Sequence, residues 1–450
     1  MNAAADRTVS IVGAGLAGAL LALLLARRGW RIVLLERRPD PRQARPERGR
    51  SINLALAARG MRALEHAGVM ARVRPLLIPM RGRMVHERTG AAALQPYGQR
   101  ADEVIWSVGR ADLNRVLIDA AARHEGVSVH FNQLCLGADV RCDRLTFRDQ
   151  ADGREYPLAL APTIATDGAG SAVRASLAAT GHLTVREEWL DHDYKELTVP
   201  AAAAGGLERH ALHIWPRGGF MLIALPNTDG SFTATLFLAR HGRPGFAALD
   251  TPQAVAQFFR REFADAVPLL PDLPAQFAAH PQGQLGTVHA IPWHVAGQVL
   301  LLGDAAHAIV PFHGQGMNAA FEDCTVLDEL LGQHTDWPAR FAAFERVRRP
   351  NAAAIAQMAL ENYLEMRDAV LDARFVRRKA IAMELERRFP DRFIPRYSMV
   401  MFHPEIPYAE ALHRGALQAQ LLEELDRGGD ASPDAALAEK LVTQRLPPLK

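Results

Sequence analysis

The chain has 450 residues, 49% hydrophobic and 23% charged, with a net charge of +2. At roughly 150 residues per domain this predicts two or three lobes whose core needs no disulfide or metal staple. The composition excludes a disordered chain, and the balanced charge gives no electrostatic case for nucleic acid or a membrane surface as partner. Arginine replaces lysine almost everywhere, leaving only Lys195, Lys379, Lys440 and Lys450, which reads as a compositional bias rather than a binding signal. Cys135, Cys142 and Cys324 form no CxxC or Cys/His ligand spacing, so the sequence predicts neither disulfides nor metal and points to a reducing, cytoplasmic setting. No apolar run reaches the ~18–20 residues of a membrane span.

In chain order, Thr8 to Val12 is a β-prone run, followed by Gly13-Ala14-Gly15-Leu16-Ala17-Gly18 and an apolar helix to Arg28 that stops at Gly29. Arg31 to Leu35 is a second β-rich run ending in Glu36. Strand, GxGxxG, helix, strand and a terminal acidic residue predict a dinucleotide site. Gly13 permits the tight turn, Gly15 lets backbone approach a pyrophosphate, Gly18 brings helix against strand, and Glu36 accepts from ribose hydroxyls. NAD and FAD both remain open at this point. Arg37 to Arg50 is rich in arginine but lacks aromatic interleaving, which predicts a solvated loop over the cofactor.

Val104 to Val108 is β-prone, and Arg110 opens a helix over Ala111 to Arg123. Thr163 to Thr166 leads into Asp167-Gly168, and Gln298 to Leu302 leads into Gly303-Asp304. An aspartate at a strand end followed by small residues can accept from a sugar hydroxyl. Pro311-Phe312-His313-Gly314-Gln315-Gly316-Met317-Asn318 then opens an amphipathic helix carrying Phe321, Cys324, Leu327 and Leu331. Such a Gly-x-Gly loop aims several backbone N–H groups at whatever lies before it. Leu212 to Ala239 reads as an antiparallel meander. Its neighbours His210, His213, Asp191, His192 and Asp193 alternate faces along strands, which argues against a metal cluster. After Trp337 the pattern is helical, with a break expected at Pro350, one helix over Ala352 to Phe389, stops at Pro390 and Pro395, and another helix from Ala409.

The glycine fingerprint, Asp167-Gly168 and Gly303-Asp304, in that order, resemble the aromatic-hydroxylase class of FAD-dependent monooxygenases. The resemblance implies FAD rather than NAD as resident cofactor, with NADPH visiting without a second Rossmann domain. Gly49 to Leu54, Ile78 to Met84, Pro96-Tyr97-Gly98, Asp193 to Leu197, His213 to Arg217, Phe220 to Asn227, Ser231 to Thr233, Ala308 to Asn318, Glu361-Asn362-Tyr363 and Tyr397 to Met399 resemble the branch of that class that acts on L-kynurenine. The implied reaction is NADPH-driven hydroxylation to 3-hydroxy-L-kynurenine with dioxygen, through a flavin hydroperoxide; another anionic aromatic, such as an anthranilate or a salicylate, is the alternative substrate. Thr166 departs from the pattern, which usually has a smaller residue before Asp-Gly. The C-terminus also departs, being polar and charged after Leu422 where eukaryotic members carry an anchoring helix, so a soluble, bacterial-type enzyme is expected, monomer or homodimer.

The fold class implied is α/β: a Rossmann-like FAD-binding domain (1–75, 100–180 and 285–345), an inserted antiparallel β-sheet domain for substrate (76–99 and 181–284) and a C-terminal helical region (346–450). Residue by residue, the resemblance assigns the substrate carboxylate to Arg83 and Tyr97, with Asn362 and Tyr397 completing that end. It assigns FAD to Gly13, Gly15, Leu16, Ala17, Gly18, Glu36, Arg37, Ala55, Arg110, Cys135 (through backbone), Asp167, Asp304, Gly316, Met317 and Asn318. Phe312, His313 and Gln315 are placed beside the ring being oxidised, with Gln315 the polar contact near the reacting oxygen. An ortho-aminophenyl ketone is activated by its own amine, so His313 need not act as a base. His307 reads as a packed residue.

Overall fold

Val9 and Ile11 on one side and Leu34 on the next run have no exposed surface, so the two apolar stretches flanking the glycine turn form buried neighbouring strands. In the computed structural model, which describes residues 7–43, 53–160, 162–369, 372–426 and 434–449, they lie in the first of two compact units. That unit comprises Met1–Leu77, Val108–Leu190 and Leu285–Ala352; the second comprises Ile78–Ser107, Asp191–Gln284 and Ala353–Lys450.

The first unit is built on a six-stranded sheet in the order His294–Val295, Val299–Leu301, Thr163–Ala165, Thr8–Val12, Arg31–Leu35, Val127–His130. All its pairs are parallel except the edge pair of His294–Val295 with Val299–Leu301. Parallel strands need crossover helices. Leu16–Arg27 is the first of these and is buried continuously from Gly18 to Ala26. It packs against both Arg110–Ala122 and Gly316–Leu331, which is why it is apolar all round rather than striped. A smaller antiparallel sheet of Gln133–Asp139, Arg144–Asp149 and Glu155–Ala159 packs its first strand on the helix Ala172–Ala179.

The second unit carries a seven-stranded sheet in the order Gln282–Ile291, Thr184–Val199, Phe232–Ala239, Met221–Pro226, Leu212–Pro216, Gly82–His86, Ala92–Pro96. The meander is antiparallel as its turns require, and Leu212–Pro216 pairs in parallel with Gly82–His86. One face of the sheet closes over the helix Pro252–Glu262, burying Trp215, Phe220, Phe258, Phe259 and Phe263 together. Residues 353–450 group with this sheet. Within them Ile381, Leu385, Phe393, Leu421, Val442 and Leu446 form a second apolar cluster.

The helical tail departs from expectation in one respect. Trp337–Leu364 runs unbroken through Pro350. A proline there removes one hydrogen bond to the carbonyl four residues back, that of Arg346. Both Pro350 and Arg346 are exposed, so water can serve that carbonyl. The break comes later: Glu365–Ala369 winds into a π-helical turn, and Ala373–Arg388 starts afresh with the Asp372 side chain accepting from the Arg374 and Phe375 N–H groups. Of the arginine-rich loop expected over Arg37 to Arg50, residues 44–50 lie outside the described residues, as do residues 49–52 of the Gly49 to Leu54 motif. No described helix is long and apolar enough to cross a membrane.

Candidate functional site

The three glycines of the first turn are required for different reasons. Gly13 has φ +99°, and a Cβ there would fall 2.7 Å from the Thr166 carbonyl oxygen. A Cβ on Gly18 would fall 1.9 Å from the Gly13 carbonyl oxygen. At Gly15 a Cβ would meet no protein atom within 4 Å. The chain itself demands glycine at 13 and 18, whereas the open approach at Gly15, before the N-terminus of Leu16–Arg27, suits a pyrophosphate. Leu16 and Ala17 open that helix and are half-buried. Thr166 has a reason too: its hydroxyl lies 2.8 Å from the Gly13 carbonyl oxygen and 3.0 Å from that of Val12, and so donates to the turn itself.

Glu36 is buried at the end of Arg31–Leu35. Its Oε2 accepts from the Ala14 N–H at 2.8 Å, and its Oε1 accepts from the Arg38 N–H at 3.0 Å and Nε at 2.9 Å. It thus ties the glycine turn to the neighbouring strand, and each oxygen retains acceptor capacity for a ribose hydroxyl. Arg37 beside it is exposed, as is Arg110, the first residue of its helix.

Asp167 divides its oxygens. Oδ2 accepts from the Ala172 N–H at 2.9 Å, at the start of the helix Ala172–Ala179. Oδ1 is buried and has no hydrogen-bond partner among the described residues. Burial pushes this carboxyl up. Asp304, exposed at the start of the turn Asp304–His307, makes no hydrogen bond or ion pair among the described residues. An orphaned carboxylate oxygen and an unengaged carboxylate, each at a strand end, suit the hydroxyls of a flavin dinucleotide. Cys135, buried in the small sheet, has its thiol pushed up to about 12 by burial and by Asp167, so it stays neutral and unreactive.

A buttress behind Asp304 was invisible in the sequence. Gly303 sits at φ +62°, and its N–H donates to Asp323 Oδ2 at 3.1 Å. His307 Nε2 donates to the same oxygen at 2.7 Å, and Arg348 Nε to Oδ1 at 2.6 Å. Burial works against the Asp323 carboxylate, but His307 and Arg348 outweigh it and hold it down to about 2. His307 is the packed residue expected, stacked on Trp293 with ring centroids 4.9 Å apart.

The loop before Gly316–Leu331 forms a 3-10 turn over Pro311–His313, then Gly314 at φ +66°, where a Cβ would fall 2.9 Å from the Ala55 Cβ. Phe312, His313 and Gln315 are buried. The Asn318 side chain is wholly engaged with backbone: Nδ2 donates to the Ala55 and Gly314 carbonyls at 2.8 Å, and Oδ1 accepts from the Ala57 N–H at 2.9 Å. It therefore shapes the loop, and what it can offer a cofactor is its own backbone N–H. Gly316, Met317 and Asn318 occupy the first helical turn, whose N–H groups have no intrahelical acceptor.

The second unit holds a different arrangement. Arg83, on Gly82–His86, is 7% exposed. Its NH2 donates to Asn362 Oδ1 at 3.4 Å and its NH1 to Glu365 Oε1 at 3.1 Å. The guanidinium carbon lies 5.0 Å from the Tyr397 ring centroid and 5.9 Å from that of Tyr97. The two phenol rings stack with centroids 5.7 Å apart. Burial opposes the charge on Arg83, but the Glu365 carboxylate and the oxygens of the two phenols answer it and the guanidinium is held up. Burial pushes both phenols up, so they stay neutral. All four residues expected to meet here do so. Glu365 and, nearby, Lys379 were missed; the only trace of Lys379 in the sequence is that the chain so rarely uses lysine.

Residues 6–359 match the protein family described as FAD binding domain. The kynurenine 3-monooxygenase of Stenotrophomonas maltophilia is 50% identical over 100% of this chain and 99% of its own length. That of Xanthomonas campestris pv. campestris is 49% identical over the same shares. Among solved structures, the tetrameric 2-methyl-3-hydroxypyridine-5-carboxylic acid oxygenase aligns with a TM-score of 0.66 at 20% identity, covering 81% of this chain and 94% of that one. PqsL of P. aeruginosa in complex with 2-aminobenzoylacetate aligns with a TM-score of 0.64 at 22% identity, covering 80% and 96%. These structures share the fold; the sequence relatives decide the family. The chain belongs to the FAD binding domain family and, within it, to the kynurenine 3-monooxygenases.

Proposed function

We propose that the protein hydroxylates L-kynurenine to 3-hydroxy-L-kynurenine: substrate, NADPH, a proton and dioxygen give hydroxylated product, NADP and water. The observation that carries this reading is the buried Arg83 with Tyr97, Tyr397 and Asn362 around it. A buried arginine kept charged beside two neutral phenols and an amide suits an α-carboxylate, which takes N–H donors from the guanidinium and O–H donors from the phenols. Anchoring the amino-acid end restricts where the ring can point, and that restriction is what an aromatic hydroxylase needs.

FAD, when bound, supplies the redox chemistry, accepting hydride and activating dioxygen. The first unit's residues hold and polarise it. Gly15 admits the pyrophosphate, and Glu36, Asp167 and Asp304 accept from sugar and ribityl hydroxyls. Arg110 and Arg37, both exposed, would add positive charge for its phosphates. The N–H groups of Gly316, Met317 and Asn318 would stabilise negative charge on a flavin held before them. Phe312, His313 and Gln315 sit on that same loop, on the oxidising side of the reaction. Gln315 is the polar contact for the transferred oxygen; the ring's own amine activates it, so no proton transfer is assigned to His313.

The test is NADPH oxidation by the purified flavoprotein with and without L-kynurenine, with product identified by mass. Stimulated consumption yielding the hydroxylated amino acid supports the proposal. Stimulation yielding only hydrogen peroxide makes kynurenine an effector, and stimulation by a simple anthranilate or salicylate instead makes that the substrate.

A further inference from the structure

Charge balance at the carboxylate site does not close with Arg83 alone. Glu365 Oε1 already accepts from Arg83 NH1 at 3.1 Å, so the guanidinium meets an incoming carboxylate with its charge largely answered. One further cation of this unit acts on the same pair: Lys379, on the helix Ala373–Arg388, interacts electrostatically with both Arg83 and Glu365. Its ammonium donates to the Pro96 carbonyl at 3.1 Å, and Pro96 immediately precedes Tyr97. The other cations on that stretch face elsewhere. Arg374, Arg377 and Arg378 all turn to Asp426, at 3.3, 3.1 and 3.1 Å. Lysine, moreover, fills only four of the chain's 52 basic positions.

We propose that Lys379 is a positioning and specificity residue for the substrate's carboxylate, supplying the positive charge that Glu365 removes from Arg83 and fixing the backbone that carries Tyr97. The proposal rests on the kynurenine reading above. One ammonium hydrogen goes to Pro96, and the other two make no hydrogen bond among the described residues. A lysine also adds a property that arginine would not. Burial, with Arg83 adding to it and Glu365 opposing, lowers this ammonium to about 8, so its charge fades just above neutral pH. The groups around it are Arg83 from its strand, Glu365 from the π-helical turn, and Tyr97 and Tyr397. Arg83 is held up and the phenols are pushed up, so these do not titrate in that range.

The experiment compares native enzyme, Lys379→Met and Lys379→Arg between pH 7 and 9. The substrates are L-kynurenine and its decarboxylated analogue, which keeps ring, ketone and amine. For Lys379→Met the KM for kynurenine is expected to rise about tenfold at pH 7 with kcat changed less than about twofold, and the KM for the analogue to stay put. Native enzyme loses kynurenine affinity above about pH 8, while Lys379→Arg keeps it. Equal effects on both substrates, or the same pH profile in native and Lys379→Arg, overturn the role of Lys379 while leaving kynurenine as substrate. If native enzyme shows no response to kynurenine at all, the functional reading and this proposal fall together.

Discussion

The glycine turn of the first unit and the Arg83 cluster of the second, proposed here for the dinucleotide and for the substrate carboxylate, are built from opposite materials. The turn is backbone: six consecutive residues, three of them glycine, two of which, Gly13 and Gly18, lie so close to carbonyl oxygens that a Cβ would collide. The cradle is side chain: Arg83, Tyr97, Asn362 and Tyr397 come from a strand, the residue after a strand and two separate helices. A backbone site tolerates few residue types, and its tolerance is set by sterics. A side-chain site depends on particular functional groups, and its tolerance is set by charge and hydrogen bonding.

The sharpest way to break this contrast is to add one methyl group at two positions three residues apart. Gly18→Ala places a Cβ at 1.9 Å from the Gly13 carbonyl oxygen, backbone against backbone, where no rotamer change helps. Loss of folded flavoprotein is expected, with a cost above about 4 kcal/mol. Gly15 has φ −67° and ψ −172°, a conformation any residue adopts, and open space for a Cβ. Gly15→Ala should leave the unfolding midpoint of the apoprotein within about 1 kcal/mol of native but weaken FAD at least about tenfold. Denaturant unfolding and flavin-fluorescence titration read the two effects separately. Equal destabilisation by both substitutions would show that the turn is not shaped glycine by glycine.

At the cradle the corresponding change is Arg83→Ala. It removes the guanidinium and leaves Glu365 and Asn362 without their donor. The KM for kynurenine should rise about a hundredfold, near 3 kcal/mol, with NADPH consumed increasingly as peroxide. FAD affinity should not move, because the side chains Arg83 bonds, Glu365 and Asn362, are not among the residues proposed to hold FAD. An unchanged KM, or loss of flavin, would refute the separation of roles.

How legible each part was follows from the same contrast. The glycine turn could be read because its requirement is local: GxGxxG, flanking strands and Glu36 fall within 29 consecutive residues of sequence, Thr8 to Glu36. The meander was legible because Pro-Arg-Gly-Gly and Pro-Asn-Thr-Asp-Gly mark its turns. The cradle residues were named only through resemblance, since nothing local distinguishes Arg83 in an arginine-rich chain. Glu365, Lys379 and the Asp323 buttress went unread because each acts on a group distant in sequence. Pro350 misled because proline's cost depends on whether the orphaned carbonyl is wet, and exposure is not a local property of sequence. Thr166, which departs from the family pattern, turned out to bond the glycine turn it faces.

Acid separates the two units as well. In the second, His213 Nε2 lies 2.9 Å from the Glu208 carbonyl and Nδ1 lies 2.8 Å from His86 Nε2, and in the neutral ring Nε2–H donates and Nδ1 accepts. Burial, helped by His86, favours that neutral ring and lowers His213 to about 4. The unfolded chain takes up that proton near pH 6.5, so this contribution is complete above pH 6.5 and is lost as pH falls toward 4, about 3 kcal/mol in all. Asp323 in the first unit, held to about 2, keeps its contribution above pH 4 and loses it only as pH falls through 2. Between pH 7 and 4.5 the unfolding midpoint of native protein should drop while flavin stays bound before the transition. His213→Gln should flatten the drop; an equal drop in that variant would rule out His213 as its source.

The smallest effect tests whether a side chain matters at all in the backbone-built site. The Thr166 hydroxyl has one hydrogen to give and two carbonyls within reach, Gly13 at 2.8 Å and Val12 at 3.0 Å. The Val12 carbonyl also accepts from the Thr166 N–H at 2.8 Å, so the Gly13 carbonyl is the one the hydroxyl serves. Thr166→Ala removes that bond and relieves the crowding beside Gly18, where Oγ1 lies 2.5 Å from a would-be Cβ. One hydrogen bond is worth about 1 kcal/mol, so Thr166→Ala should lower the unfolding free energy by about that much in a denaturant titration, and Thr166→Ser should restore it. The two substitutions at 166 also interrogate Gly18. If Thr166→Ala rescued any folding of Gly18→Ala, the threonine would be part of what excludes a methyl group there. The 1.9 Å approach to the Gly13 carbonyl says it is the lesser part, because that oxygen belongs to the chain's own backbone and remains when Thr166 is truncated.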